Sequence, residues 1–191
     1  MKLLYKHRNQ EEEEDDDEDE GDGFNLDMVG NDIFYSGDIT PEGMHKMIIM
    51  LKKLELKTKN TITIYIRSGG GDLFAGVSAM DHIRNSKSKI VTVADGFCAS
   101  AATLVLLGSK KRKIMKNAHI LIHQLSSGTI GKYHDMKDEL KNCDALMGTM
   151  KRIYKEDTKL TDEILKKLFK RDIYFSAEEC IEWGIVKKMK K

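Results

Sequence analysis

At 191 residues, with 40% hydrophobic residues and a formal net charge of +1, the chain is long enough to bury one good core. Its three cysteines, Cys98, Cys143 and Cys180, are odd in number and unpatterned, which excludes a disulfide framework and fits reduced thiols. No stretch resembles a membrane span, and the lysines are scattered without the aromatic-basic motifs of nucleic-acid binding.

In chain order, the first segment, Met1 to Arg8, lacks the apolar centre of a secretory signal, so the expected location is cytoplasmic. Ten consecutive acids follow from Glu11 to Glu20, and Gly21-Asp22-Gly23 closes the run. Such a stretch has too little apolar content to fold. Residues 1–23 are therefore expected to be an acidic tail, either solvating or partner-binding, ahead of one folded domain over 24–191. The tail masks a basic body: beyond residue 20 there are 29 lysines and arginines against 21 acids.

The body alternates strand and helix. Ile33-Phe34-Tyr35 and Thr61 to Ile66 read as strands around a helix from Pro41 to about Leu56, where Pro41 suits a first helical position. A second helix is expected from about Ala75 to Arg84, before an apolar strand at Lys89-Ile90-Val91-Thr92-Val93. This order implies right-handed crossovers and a largely parallel sheet, with strand-end loops building a site. From about Lys132 to Lys155 a long helix carries Met136, Leu140, Cys143, Met147, Met150 and Tyr154 in three- and four-residue steps, a stripe suited to a core or to an assembly surface.

Three residues carry candidate chemistry. Ser100 sits among alanines where the Ile90 strand turns into a helical pattern, a placement that serves a nucleophile beside helix-start amides and equally serves a plain N-cap. His123 ends the strand-like run His119-Ile120-Leu121-Ile122-His123, and Asp172 lies on a loop before the capping box of Ser176 and Glu179. A serine hydroxyl needs a neutral imidazole to take its proton and a carboxylate to hold the tautomer. Cys98 is an alternative nucleophile by position alone. Metal sites are not expected: His119 and His123 would stand roughly 13 Å apart along a strand, and His134 with Asp138 makes only two ligands.

Together these motifs resemble the proteolytic subunit of the Clp protease, from about Asn31 to Ile185. The matching residues, in order, are Ile66-Arg67-Ser68-Gly69-Gly70-Gly71, the serine elbow, Ile122-His123-Gln124, and Arg171-Asp172 with Phe175-Ser176-Ala177. The resemblance implies an α/β fold, a ClpP/crotonase-like spiral of ββα units with a protruding handle helix. It implies Ser100 as nucleophile, His123 as general base, Asp172 as its orienting carboxylate, and the N–H groups of Gly71 and Ala101 as an oxyanion hole. Substrate would lie as an added strand against Gly70, Asp72 and Leu73 on one side and Leu125 and Ser126 on the other. Neither metal nor cofactor is implied.

The chain departs from the family where Gly69 and Leu125 replace prolines at the cleft edges, which should leave those edges looser. Of the family's two docking tyrosines one matches Tyr65 while the other position is Thr63, and the axial-pore segment has no recognisable counterpart before Asn31. The expected function is a serine endopeptidase cutting unfolded or extended polypeptides in a homo-oligomeric ring, with an AAA+ unfoldase as a potential partner. Three alternatives stand beside it: a virus-encoded peptidase maturing capsid or scaffold proteins without an ATPase, a crotonase-like acyl-CoA enzyme, and a non-catalytic ring subunit.

Overall fold

The chain starts its described structure with a feature the sequence pattern did not announce. The computed structural model describes residues 23–190, so the acidic run lies outside the described residues. Strand β1 (Phe24–Val29) pairs antiparallel with β2 (Asp32–Gly37) across Gly30-Asn31, from Phe24↔Gly37 to Val29↔Asp32. Only Phe24 and Leu26 of β1 pack against the core, while Asn25, Asp27, Met28 and Val29 are exposed. A one-sided edge strand of this kind carries few of the apolar residues that mark a buried one.

Helix α1 (Pro41–Lys57) begins where Thr40 accepts the Gly43 N–H at 3.0 Å, with Pro41 just inside the cap. Its buried Met44, Met47, Ile48, Leu51 and Leu54 recur at helical spacing and face the sheet. Strand β3 (Ile62–Ser68) buries alternate residues, and α2 (Leu73–Arg84) returns the chain to β4 (Ile90–Ala99). Strands β2, β3 and β4 are parallel neighbours, as the strand-helix alternation implied.

Strand β4 runs on to Ala99 instead of turning into helix after Val93. Its register against β3 shifts between Ile66/Ser68, and Gly96 at φ 73° bends it. The bend lets one strand serve two neighbours. Val91 to Ala94 pair with β5 (Lys111–Ile114), while Phe97 to Ala99 pair with β6 (His119–Leu121). Helix α3 (Ala101–Leu107), entirely buried, leaves from the top of β4.

The remaining elements are α4 (Tyr133–Asp157), α5 (Asp162–Leu168), β7 (Tyr174–Phe175) antiparallel to β6, α6 (Ala177–Glu182) and β8 (Lys188–Met189) beside β5. Helix α4 buries only Met150, Ile153 and Tyr154, and residues 131–138 are all exposed, so its N-terminal half protrudes as a handle. Among the described residues no helix is long and apolar enough to cross a membrane.

Arg112 on β5 is 2% exposed, and its guanidinium donates to the carbonyls of Ile185, Ser109, Asp157 and Gly184. One side chain thereby ties β5 to the end of α4 and to the C-terminal segment. Arg112→Met would leave these carbonyls without donors, at a loss of about 3 kcal/mol. Chemical denaturation followed by circular dichroism reads this; an unchanged midpoint would show that water replaces the guanidinium.

Candidate active site

Ser100 is the only non-glycine residue with positive φ among the described residues, at φ 52° and ψ −127°. It stands at the N-cap position of α3 yet makes no side-chain cap hydrogen bond, so its hydroxyl is not spent on the helix. The backbone is fixed from both sides. Its N–H donates to the Leu121 carbonyl at 2.9 Å, and its carbonyl accepts from the Thr103 N–H at 3.0 Å and from Thr103 Oγ1 at 2.6 Å. Thr103 in turn lies 2.5 Å from the hydroxyl of the buried Tyr154.

The glycine-rich end of β3 fits beneath this elbow. A Cβ on Gly70 would stand 2.5 Å from Ser100 Cβ, and one on Gly71 would stand 2.4 Å from the Ile39 carbonyl oxygen. Ile39 donates to the Gly70 carbonyl and accepts from the Asp72 N–H, each at 2.7 Å, which brackets Gly71 and leaves its own N–H turned away from that pairing. The Ala101 N–H, first in α3, has no acceptor within the helix.

His123 follows β6 by two residues, the strand ending at Leu121 rather than at the histidine. Its Nδ1 lies 3.3 Å from Asp172 Oδ1, with the imidazole largely covered and the carboxylate mostly exposed. Asp172 is delivered by the turn between α5 and β7, and the antiparallel β6–β7 pair brings that turn beside His123. The contact at Nδ1 leaves Nε2 as the other ring nitrogen for the cleft side.

A cleft of about 280 Å³ is lined by Gly69, Gly71, Leu73, Ser100, Ala101, His123, Leu125, Ser126 and Met150. The serine, the imidazole and the two candidate amide donors thus meet in one space. Gly70 and Asp72 are not part of that lining. Gly70 donates to Ser68 Oγ and accepts from Ile39. Asp72 uses its carboxylate on the Ala75 N–H at 2.7 Å, its N–H on Ile39 and its carbonyl on Gly76. With its polar groups engaged, Asp72 is a helix cap for α2. Gly69 lines the cleft at the edge where the sequence places it, and Met150, which by spacing belongs only to the helical stripe, takes a place in the lining that sequence reasoning missed. A larger hollow of about 750 Å³ between β1 and α1 gathers lysines around apolar walls and holds none of the candidate catalytic residues.

The thiols offer no rival nucleophile at this cleft. Cys98 is fully buried and its burial pushes the thiol well above the usual range, and Cys180, also fully buried, is pushed up to about 12, chiefly by desolvation. Tyr65 lies half-buried on the opposite side of β3 from the core, stacked on Phe34 at 4.7 Å with Lys190 Nζ 5.8 Å from its ring. Thr63 is also half-buried.

Comparisons with known proteins bear on the chain as a whole. A family model described as Clp protease matches residues 24–191, extending the recognisable segment back to β1. The chain is 34% identical over 162 residues to ATP-dependent Clp protease proteolytic subunit 2 of Treponema denticola, covering 83% of this chain and 81% of that protein. It is 30% identical over 159 residues to ATP-dependent Clp protease proteolytic subunit 3 of Rhizobium meliloti, covering 82% of each. Among solved structures, a ClpP1 mutant from Listeria monocytogenes superposes with a TM-score of 0.76 at 27% identity, over 84% of this chain and 91% of that one.

The contact beneath the elbow has a direct consequence. Gly70→Ala places a methyl group against Ser100 and strains a backbone at φ 109°. Covalent labelling of Ser100 by a fluorophosphonate should slow by at least about tenfold while the circular dichroism spectrum is kept. An unchanged rate would mean that the elbow does not rest on Gly70.

Proposed function

Since this chain belongs to the Clp protease family and is a serine-type endopeptidase, we propose that Ser100, His123 and Asp172 carry the hydrolysis in the cleft beneath α3. The observation that carries this reading is the uncapped hydroxyl of a strained serine in one cleft with an imidazole whose far nitrogen meets a carboxylate.

Ser100 Oγ attacks the scissile carbonyl carbon as His123 takes its proton at Nε2, and Asp172 holds the imidazole through Nδ1. The resulting oxyanion accepts hydrogen bonds from the N–H groups of Gly71 and Ala101. When the C–N bond breaks, the imidazolium gives its proton to the leaving amine and an acyl ester remains on Ser100. Water, deprotonated by the same imidazole, then attacks the ester, and the proton returns to Ser100. No metal or cofactor enters these steps.

Substrate is an extended polypeptide lying between Gly69, Gly71 and Leu73 on one side and Leu125 and Ser126 on the other. Asp72 and Gly70 support this edge without touching substrate. The handle of α4 exposes Tyr133, Met136 and Leu140, and Ile130 precedes it fully exposed. An apolar ridge of this kind on a protruding helix supports assembly into homo-oligomeric rings. The Phe34–Tyr65 pair offers an aromatic face for an AAA+ unfoldase, and the protein acts in the cytoplasm.

Peptide hydrolysis by single variants tests the catalytic assignment. Ser100→Ala, His123→Ala and Asp172→Asn should each lower kcat by on the order of 10³-fold or more with folding retained; a variant that keeps its turnover removes that residue from the mechanism. The assembly assignment is tested separately by Met136→Glu with Leu140→Glu. Met147 and Met150 of the same stripe do not serve this test, because Met150 is buried at the cleft and Met147 is half-buried against Leu125. Native mass spectrometry should show smaller species with weaker activity. Intact rings in the double variant would place the interface elsewhere.

A further inference from the structure

Helix α4 reaches the cleft at three points. Met147 Sδ accepts the Leu125 N–H at 3.2 Å, Met150 lines the cleft, and Tyr154 approaches Ser100 from below through Thr103. The third contact has a defined direction. Thr103 Oγ1 carries one proton and donates it to the Ser100 carbonyl at 2.6 Å, so the 2.5 Å contact between the hydroxyls is a donation from Tyr154. Tyr154 is fully buried, and burial raises its hydroxyl far above the usual range, which keeps the proton in place.

The Ser100 carbonyl shares a rigid trans peptide plane with the Ala101 N–H. Holding the oxygen down into α3 aims that N–H in the opposite direction, toward the cleft that Ala101 lines. We propose that Tyr154 is a positioning residue: through Thr103 it locks the Ser100 carbonyl, and with it both the left-handed turn that presents Ser100 Oγ and the direction of the Ala101 oxyanion donor. The inference rests on the peptidase reading above. Without the tyrosine hydroxyl, Thr103 loses the partner that fixes its rotamer and polarises its O–H, and the Ser100 carbonyl keeps only the Thr103 N–H as a fixed donor. An oxyanion forms only in the transition state, so the loss falls on kcat and not on KM.

The test compares full-length wild-type protein with Tyr154→Phe, Thr103→Val, Thr103→Ser and the Tyr154→Phe/Thr103→Val pair. Measurements are peptide kinetics, fluorophosphonate labelling of Ser100, thermal melting and native mass spectrometry. Tyr154→Phe and Thr103→Val should each lower kcat and the labelling rate about tenfold with KM within twofold. The pair should be no slower than the slower single variant, because both act through one contact, and Thr103→Ser, which keeps the hydroxyl, should stay within about twofold of wild type. An unchanged kcat in Tyr154→Phe, a change confined to KM, additive losses in the pair, or a loss that follows ring dissociation would overturn the proposal. Should Tyr154→Phe not fold, the Thr103→Val and Thr103→Ser comparison decides, and equal rates for the two would overturn it. Wild-type protein that fails to label at Ser100 would overturn the peptidase reading as well; labelling of wild type and Tyr154→Phe at equal rates would overturn this inference alone.

Discussion

Holding a residue with a Cβ at φ 52° costs on the order of 1–3 kcal/mol, and Ser100 stays there because its surroundings leave no relaxed alternative. Its N–H is engaged by the Leu121 carbonyl and its own carbonyl by two donors of Thr103. Bonds of this kind contribute roughly 1 kcal/mol each, enough together to offset the strain. The wholly buried α3 anchors the far side, and Gly70 leaves just enough room beneath. A relaxed serine at a helix start would cap the helix. A strained one keeps its hydroxyl for other chemistry.

Other parts of the fold exist around that elbow. The bend at Gly96 divides β4 between β5 and β6, so the strand that carries Ser100 also carries, through β6, the segment that ends in His123. β6 then recruits β7, and the turn before β7 supplies Asp172. Three residues separated by up to 72 positions are thus gathered by a few strand pairings. The exposure of Asp172 contrasts with the coverage of His123, and the imidazole is the better shielded of the two. Helix α4 joins its protruding apolar half to a buried inner end whose Tyr154 meets Thr103 beneath the same elbow, so one rigid element links a surface suited to assembly with the base of the nucleophile's turn.

Much of this was legible in the sequence because small residues leave a mark. The alanines around Ser100, the run Gly69-Gly70-Gly71 and the apolar strand before His123 announce a tight strand-to-helix turn beside a glycine edge. The strand-helix alternation announced the parallel order. What escaped did so for physical reasons. β1 is an edge strand with one half-covered face, and β5 reads as the charged run Lys111-Arg112-Lys113 because a buried arginine satisfied by carbonyls resembles a surface one in sequence. β7 and β8 are two residues each, too short for any periodicity. Asp72, which the family resemblance implies as a substrate contact, also caps α2, a use common for an aspartate just before a helix but without a sequence mark of its own here. Met150 fits a helical stripe and a cleft wall equally well by spacing, and only the packing of α4 separates them.

The central claim is that one strained hydroxyl, and no other nucleophile, performs the chemistry. Incubation of the full-length protein with a fluorophosphonate, followed by intact mass and peptide mapping, tests it most directly. The expected result is a single adduct per chain on Ser100, absent from Ser100→Ala. A folded protein that takes no label, or an adduct on any other residue that survives in Ser100→Ala, would contradict the account.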